Sequence, residues 1–153
     1  MRALVAVERG LLGGLMAVIA IITFLQVALR YLFGVPLGWS EEVGRFFLVW
    51  LTFIGAGALV RLPQGHPAVD TVPQALHGAR RRAVETVSRV LVIAGCVAMG
   101  WGGVRMAQVQ WGQTSPSLEI SMGVVYLCIP AGAALGVWWG LATLRSGPDP
   151  DAA

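Results

Sequence analysis

Four long apolar runs dominate the chain, and polar residues gather in the short stretches between them. The runs cover roughly residues 11–33, 43–60, 87–109 and 122–144. Each is near the ~20 residues a helix needs to cross about 30 Å of hydrocarbon. Lipid offers backbone N–H and C=O groups no partner, so spans of this length are helices. The pattern predicts an all-α membrane protein with four transmembrane helices. A short hairpin turn joins the first two spans outside the cytoplasm, and a longer cytoplasmic loop joins the second and third. Residues 1–145 form one membrane domain, and the tail 146–153, SGPDPDAA, reads as disordered.

Composition agrees with the pattern. Of 153 residues, 56% are hydrophobic and 12% charged, against about 25% charged in soluble domains. Mean hydropathy is +0.72. A net charge of +3, dispersed along the chain, excludes a nucleic-acid binder. Cys96 and Cys128 each lie in an apolar run, with no CxxC pair, and read as small buried hydrophobes. Arg2 and Arg9 ahead of the first run give it the look of a signal peptide. The run is too long for that and lacks a clean A-x-A site, so it reads as an uncleaved first span.

All eleven basic residues are arginine, and they set an orientation. Arg2, Arg9, Arg61, Arg80, Arg81, Arg82, Arg89 and Arg145 fall on one side of an even number of spans. Only Arg30, Arg45 and Arg105 fall on the other. The positive-inside rule then puts both termini and the central loop in the cytoplasm. The central loop is rich in proline and glycine, with room for a short interfacial helix around 72–79.

Small residues mark helix contacts. Gly132, Gly136 and Gly140 recur at spacings of four, as do Ala94, Ala98 and Gly102; Gly10 and Gly14 are a weaker instance. Such ridges let backbones approach closely in lipid. They do not say whether the neighbour is internal or another subunit.

Catalytic chemistry has little to build on. His66 and His77 both lie in the central loop, so no span offers an axial haem ligand. No carboxylate sits mid-membrane and no nucleophile–base pair stands out. The expectation is a non-enzyme without cofactor or metal. Thr23 and Gln26, the most polar groups deep in the first span, are expected to hydrogen-bond between helices.

The densest chemistry is in PLGWSEEVGRFFLVWLTF, residues 36–53. Ser40 is placed to cap a helix beginning at Glu41. Glu41 and Glu42 then sit where the helix dipole favours negative charge. Glu41 and Arg45 are four apart, acid first, the favourable order for a pair along the helix. The second acid lies about 100° further around, free for Arg30 or for a basic residue of another protein. Two readings stay open: capping charges alone, or an ion-pair network within the hairpin or between subunits. On the second, Glu42→Ala should impair function more than Glu8→Ala, with Glu8 read as an acid of the opposite membrane side.

These residues resemble a family. LRYLFGVPLGWSEEVGRFFLVWLTFIGAGALV followed by GHPAVD is similar to the small, DctQ-like membrane subunit of tripartite ATP-independent periplasmic (TRAP) transporters. The likeness runs through Arg30, Tyr31 and Phe33, then Pro36, Leu37 and Trp39, then Glu41, Glu42 and Arg45. It continues through Trp50, Phe53, Gly55 and Ala56 to Gly65, His66, Val69 and Asp70. QTSPSLEISMGVVYLCIPAG resembles a later, weaker block of the same pattern. Pro67, Glu119 and Gly123 depart from it.

The resemblance implies a role in a three-part, sodium-driven importer of organic acids. The small subunit would brace a large permease subunit and help dock a periplasmic binding protein. Arg30, Trp39, Glu41, Glu42 and Arg45 would make subunit or binding-protein contacts. Tyr31, Trp111 and Tyr126, with Trp39, would anchor the chain at the membrane surface. Competing readings are a small four-helix redox protein and the small subunit of a tripartite tricarboxylate transporter.

Overall fold

The computed structural model describes residues 2–34, 37–62 and 79–146. The helices among these residues are α1 (Arg2–Phe33), α2 (Gly38–Leu59), α3 (Ala79–Val109), α4 (Met122–Tyr126) and α5 (Cys128–Ser146). Among the described residues, four stretches are long and apolar enough to cross a membrane: Ala3–Phe33, Gly38–Leu59, Thr86–Val109 and Met122–Leu144. The chain is thus an all-α membrane protein with four spans, as the apolar pattern predicts.

The helices outrun the apolar segments. With about 1.5 Å of rise per residue, the 32-residue α1 is about 48 Å long. Hydropathy marks the length that lipid covers. It does not mark where helical hydrogen bonding stops, and charged residues such as Glu8 and Arg9 continue a helix well. The fourth span is broken at Leu127, between α4 and α5. Pro130 explains the break: it has no N–H to give the Tyr126 carbonyl, and its ring crowds that carbonyl. The expected interfacial helix at 72–79 lies outside the described residues except for Ala79, which opens α3. The tail beyond Ser146 is also outside them.

Contacts run in a file. Among the described residues, α5 packs against both α3 and α2, and α1 packs along α2, reaching α5 through Glu8 near its start. The α2–α5 crossing is the tightest. A Cβ added at Gly57 would fall inside the Gly132 carbonyl oxygen's van der Waals shell, and one at Gly132 would strike the Phe53 carbonyl. Gly136 faces Cys96 of α3, Gly57 of α2 and Val60 just past it, while Gly140 faces Ile93. The Gly132, Gly136 and Gly140 ridge therefore sits where three helices of this chain converge.

The ridge on α3 is a different face from the one the spacing suggests. Ala94, Ala98 and Gly102 are exposed, and a Cβ at Gly102 would meet nothing within 4 Å. Gly100, Gly103 and Ala107 make the contact instead. A Cβ at Gly103 would lie 2.6 Å from Ile129 Cγ2 and 2.9 Å from Pro130 Cδ, and Ala107 is buried. Small residues at helical spacing occur on both faces of α3, and only the partner's bulk at Ile129 and Pro130 selects between them. Gly10 and Gly14 of α1 likewise face open space.

Candidate functional site

Helices that alternate in direction give the molecule two ends. The α1–α2 turn and the α3–α4 connection share one, termed the turn end. The start of α1, the end of α2 and the end of α5 share the other, termed the terminal end. Polar side chains concentrate at both.

At the turn end, Gly34 takes φ +68° directly after α1, the left-handed geometry in which glycine closes a helix at no steric cost. Helix α2 begins at Gly38, with Leu37 as N-cap and no side-chain cap. Ser40 is therefore not the cap. It lies inside the first turn, 1% exposed, and its hydroxyl donates to Gln26 Oε1 at 2.5 Å. The Leu37 carbonyl is 2.6 Å from the same hydroxyl, which has one proton to share between them. A buried hydroxyl needs an acceptor, and Gln26 supplies it from α1. This is the interhelical bond expected of Gln26; Thr23 is exposed.

Glu42 reaches across to the α3–α4 connection. Its Oε1 accepts from the Ser117 backbone N–H at 3.0 Å and its Oε2 from the Leu118 N–H at 3.2 Å. The connection is itself a small hairpin. Ser115 N donates to the Ile120 carbonyl at 2.9 Å and Met122 N to the Gln113 carbonyl at 2.8 Å. Glu119 stands at its tip with φ +54°. The turn leaves two successive amides facing outward, and one carboxylate satisfies both with charge-assisted bonds. Gly123 seats the start of α4 against α3: a Cβ there would lie 2.7 Å from the Ala107 carbonyl and from the Trp111 ring. Of the two departures from the family pattern in this loop, Gly123 thus has a definite structural job, the close approach of α4 to α3.

This geometry revises the expected charge network. Glu42 is engaged within its own chain and is not a free acid. Glu41 and Arg45 are both exposed, and among the described residues they form no ion pair. An exposed pair of this kind gains only about 0–1 kcal/mol, too little to hold two long side chains together. Arg30 is exposed as well, as are Tyr31, Trp39 and Trp111; Tyr126 is half-buried. Pro36, Gly65, His66, Val69 and Asp70 fall outside the described residues.

The terminal end carries a cluster that the apolar pattern does not reveal. Glu8 of α1 and Arg61, just past α2, form a buried ion pair, at 4% and 6% exposure. Trp139 of α5 donates its indole N–H to Glu8 Oε1 at 2.6 Å. The Arg61 guanidinium lies 5.6 Å from the centre of the Trp139 ring, in cation–π range. Three helices therefore meet through one acid, one base and one indole. Arg89 Nη1 adds a longer bond to the Thr143 carbonyl at 3.4 Å, between α3 and α5. The sequence signal is present but faint: an acid and an arginine at the same membrane edge, each beside hydrocarbon, where a charge needs a partner. Glu8 is consequently a poor neutral control for Glu42.

Residues 19–147 match the family model of the DctQ component of tripartite ATP-independent periplasmic transporters. A Haemophilus influenzae protein assigned as a TRAP transporter small permease protein is 24% identical over 112 residues, 73% of this chain and 69% of that protein. The C4-dicarboxylate TRAP transporter small permease protein DctQ of Rhodobacter capsulatus is 29% identical over 104 residues, 67% of this chain and 45% of that protein. The isethionate TRAP transporter permease protein DctMQ of Oleidesulfovibrio alaskensis is 26% identical over 134 residues, 82% of this chain but 21% of that longer protein.

Proposed function

Because the chain belongs to the DctQ component family of the tripartite ATP-independent periplasmic transporters, we propose that it is the non-catalytic small membrane subunit of a sodium-coupled organic-acid importer. It braces a large permease subunit and helps present a docking surface to a periplasmic binding protein. The observation that carries this reading is the family match across residues 19–147, which takes in the second half of the first span and the other three spans whole. The open file of helices supports it. Among the described residues helix α1 packs on α2 and meets α5 through the Glu8–Trp139 bond, so most of its apolar length is left for lipid or another subunit. A brace needs such surface and no interior of its own.

The named relatives support the finer parts. One is a C4-dicarboxylate protein and one an isethionate protein, both organic anions. The DctMQ protein carries its Q-like region in a much longer polypeptide, as expected if this subunit works beside a larger one. The readings as a redox protein or as part of a tripartite tricarboxylate transporter draw no support from the match. Co-expression with the large permease subunit tests the assignment. A tagged form of this chain should carry that subunit through detergent purification; its absence from the eluate would defeat the proposal.

The proposed orientation places the terminal end in the cytoplasm of the bacterial inner membrane, following the eight-to-three division of arginines. A cysteine placed at Ser146 should stay unlabelled by a membrane-impermeant thiol reagent in intact cells and react after permeabilisation. Labelling in intact cells would invert the topology.

A further inference from the structure

Helices α2 and α5 are the two interior members of the file, and each keeps one exposed stripe. On the fourth span it consists of Val124, Leu127, Ala131, Ala134, Trp138, Leu141 and Leu144, all apolar. On α2, the exposed residues beyond Trp39 are Glu41, Arg45, Leu48, Thr52, Ala56 and Leu59. Their spacing of three and four residues puts them on a single helix face. Every other α2 residue from 42 to 58 is buried or half-buried. The two stripes have the same geometry and opposite chemistry.

The α5 stripe is what lipid accepts. The α2 stripe is not. Arg45 lies seven residues inside α2, about 10 Å from its start at 1.5 Å per residue. Its guanidinium finds no carboxylate among the described residues, including Glu41 one turn away. Thr52, further in, turns its hydroxyl back on the Leu48 carbonyl at 2.8 Å, the usual resort of a hydroxyl without an outside partner. Ala56 continues the face with a side chain small enough for close helix approach. A charge and a hydroxyl at membrane depth, which the α5 stripe lacks, belong to protein interfaces more than to lipid contacts.

We propose that the Glu41–Arg45–Leu48–Thr52–Ala56–Leu59 face of α2 is the seat of a membrane helix of the large permease subunit, with a carboxylate opposite Arg45 and a small residue opposite Thr52 and Ala56. This rests on the assignment as a small TRAP subunit and deepens it by choosing one face. Arg45 is the specifying residue, since a lone arginine beside hydrocarbon favours the partner that brings an acid. Thr52 and Ala56 set how near that partner comes. Glu42, spent on the 117–118 amides, takes no part.

The test uses the co-expressed complex with a photoreactive amino acid at position 52 of α2 or at Ala134 on the apolar α5 stripe. Irradiation should join the position-52 probe to the large subunit, with roughly tenfold less product from position 134, a difference equivalent to about 1.4 kcal/mol of preference. In the same complex, Arg45→Glu should lower recovery of the large subunit severalfold, and Arg45→Lys should retain most of it. Adducts from position 52 that contain only lipid, or a second copy of this chain, would overturn the proposal. So would Arg45→Glu complexes recovered at wild-type yield. Failure of the wild-type chain to retain the large subunit would instead defeat the subunit assignment itself, and the two results are separable on one gel.

Discussion

Gly132→Ala should disrupt the fold more than a methyl group added at Gly136, Gly140 or Gly102. The methyl would enter the Phe53 carbonyl and lie 3.0 Å from Phe53 Cβ. Backbone cannot swing aside as a side chain can, so α2 and α5 must separate along their tightest contact. Overpacking typically costs about 1–3 kcal/mol, and this crossing falls at or above the upper end. Gly57→Ala meets the Gly132 carbonyl from the other side and should match it. Gly136→Ala should be milder, because the nearest atom is the Cys96 sulfur at 2.9 Å, on a side chain that can rotate. Gly136→Leu exceeds what that rotation can relieve and should lower assembly. Gly102→Ala, facing open space, should be neutral or slightly stabilising, since alanine is the better helix former. Membrane abundance and thermal unfolding in detergent would rank these variants. If Gly132→Ala unfolds no earlier than Gly102→Ala, the α2–α5 crossing is not as close as described.

Glu8→Ala should be the second large effect. It strands the Arg61 guanidinium where only 6% of that residue is exposed and leaves the Trp139 N–H without its acceptor. Removing one member of a buried pair typically costs about 3–5 kcal/mol, whereas replacing both by apolar groups is often neutral. Glu8→Ala should therefore reduce the amount of folded protein sharply, as should Arg61→Ala. The joint change Glu8→Leu with Arg61→Met should recover most of it. A double substitution as damaging as the singles would mean that the cluster stabilises through some route other than mutual charge compensation. This also changes how Glu42→Ala is judged. The expectation that it outweighs Glu8→Ala treats Glu8 as a bystander, and the buried pair removes that premise.

The number of spans and their approximate bounds were legible in the sequence, because lipid leaves the backbone one solution and hydropathy reports lipid directly. The family was legible too, in the run from Arg30 to Ala56 and its continuation downstream. So was the need of Gln26 for an interhelical partner, since a polar side chain among apolar neighbours has few alternatives. Helix ends were less legible. Charged residues such as Glu8 and Arg9 drop out of the apolar signal but extend the helix, and Ser40 has a cap's identity without a cap's position.

Tertiary structure decided everything that depends on which faces meet. Two small-residue faces on α3 have similar spacing, and only the shape of α5 at Ile129 and Pro130 picks Gly100 and Gly103 over Ala98 and Gly102. Glu41 and Glu42 are adjacent and chemically equal. The hairpin 75 residues further on presents its amides to Glu42, and that leaves Glu41 outward with Arg45. Glu8 and Arg61 are 53 residues apart, and neither carries any local mark of the other. Local pattern reports what each segment exchanges with its solvent; a contact between segments is set by packing over long separations, and no single segment records it.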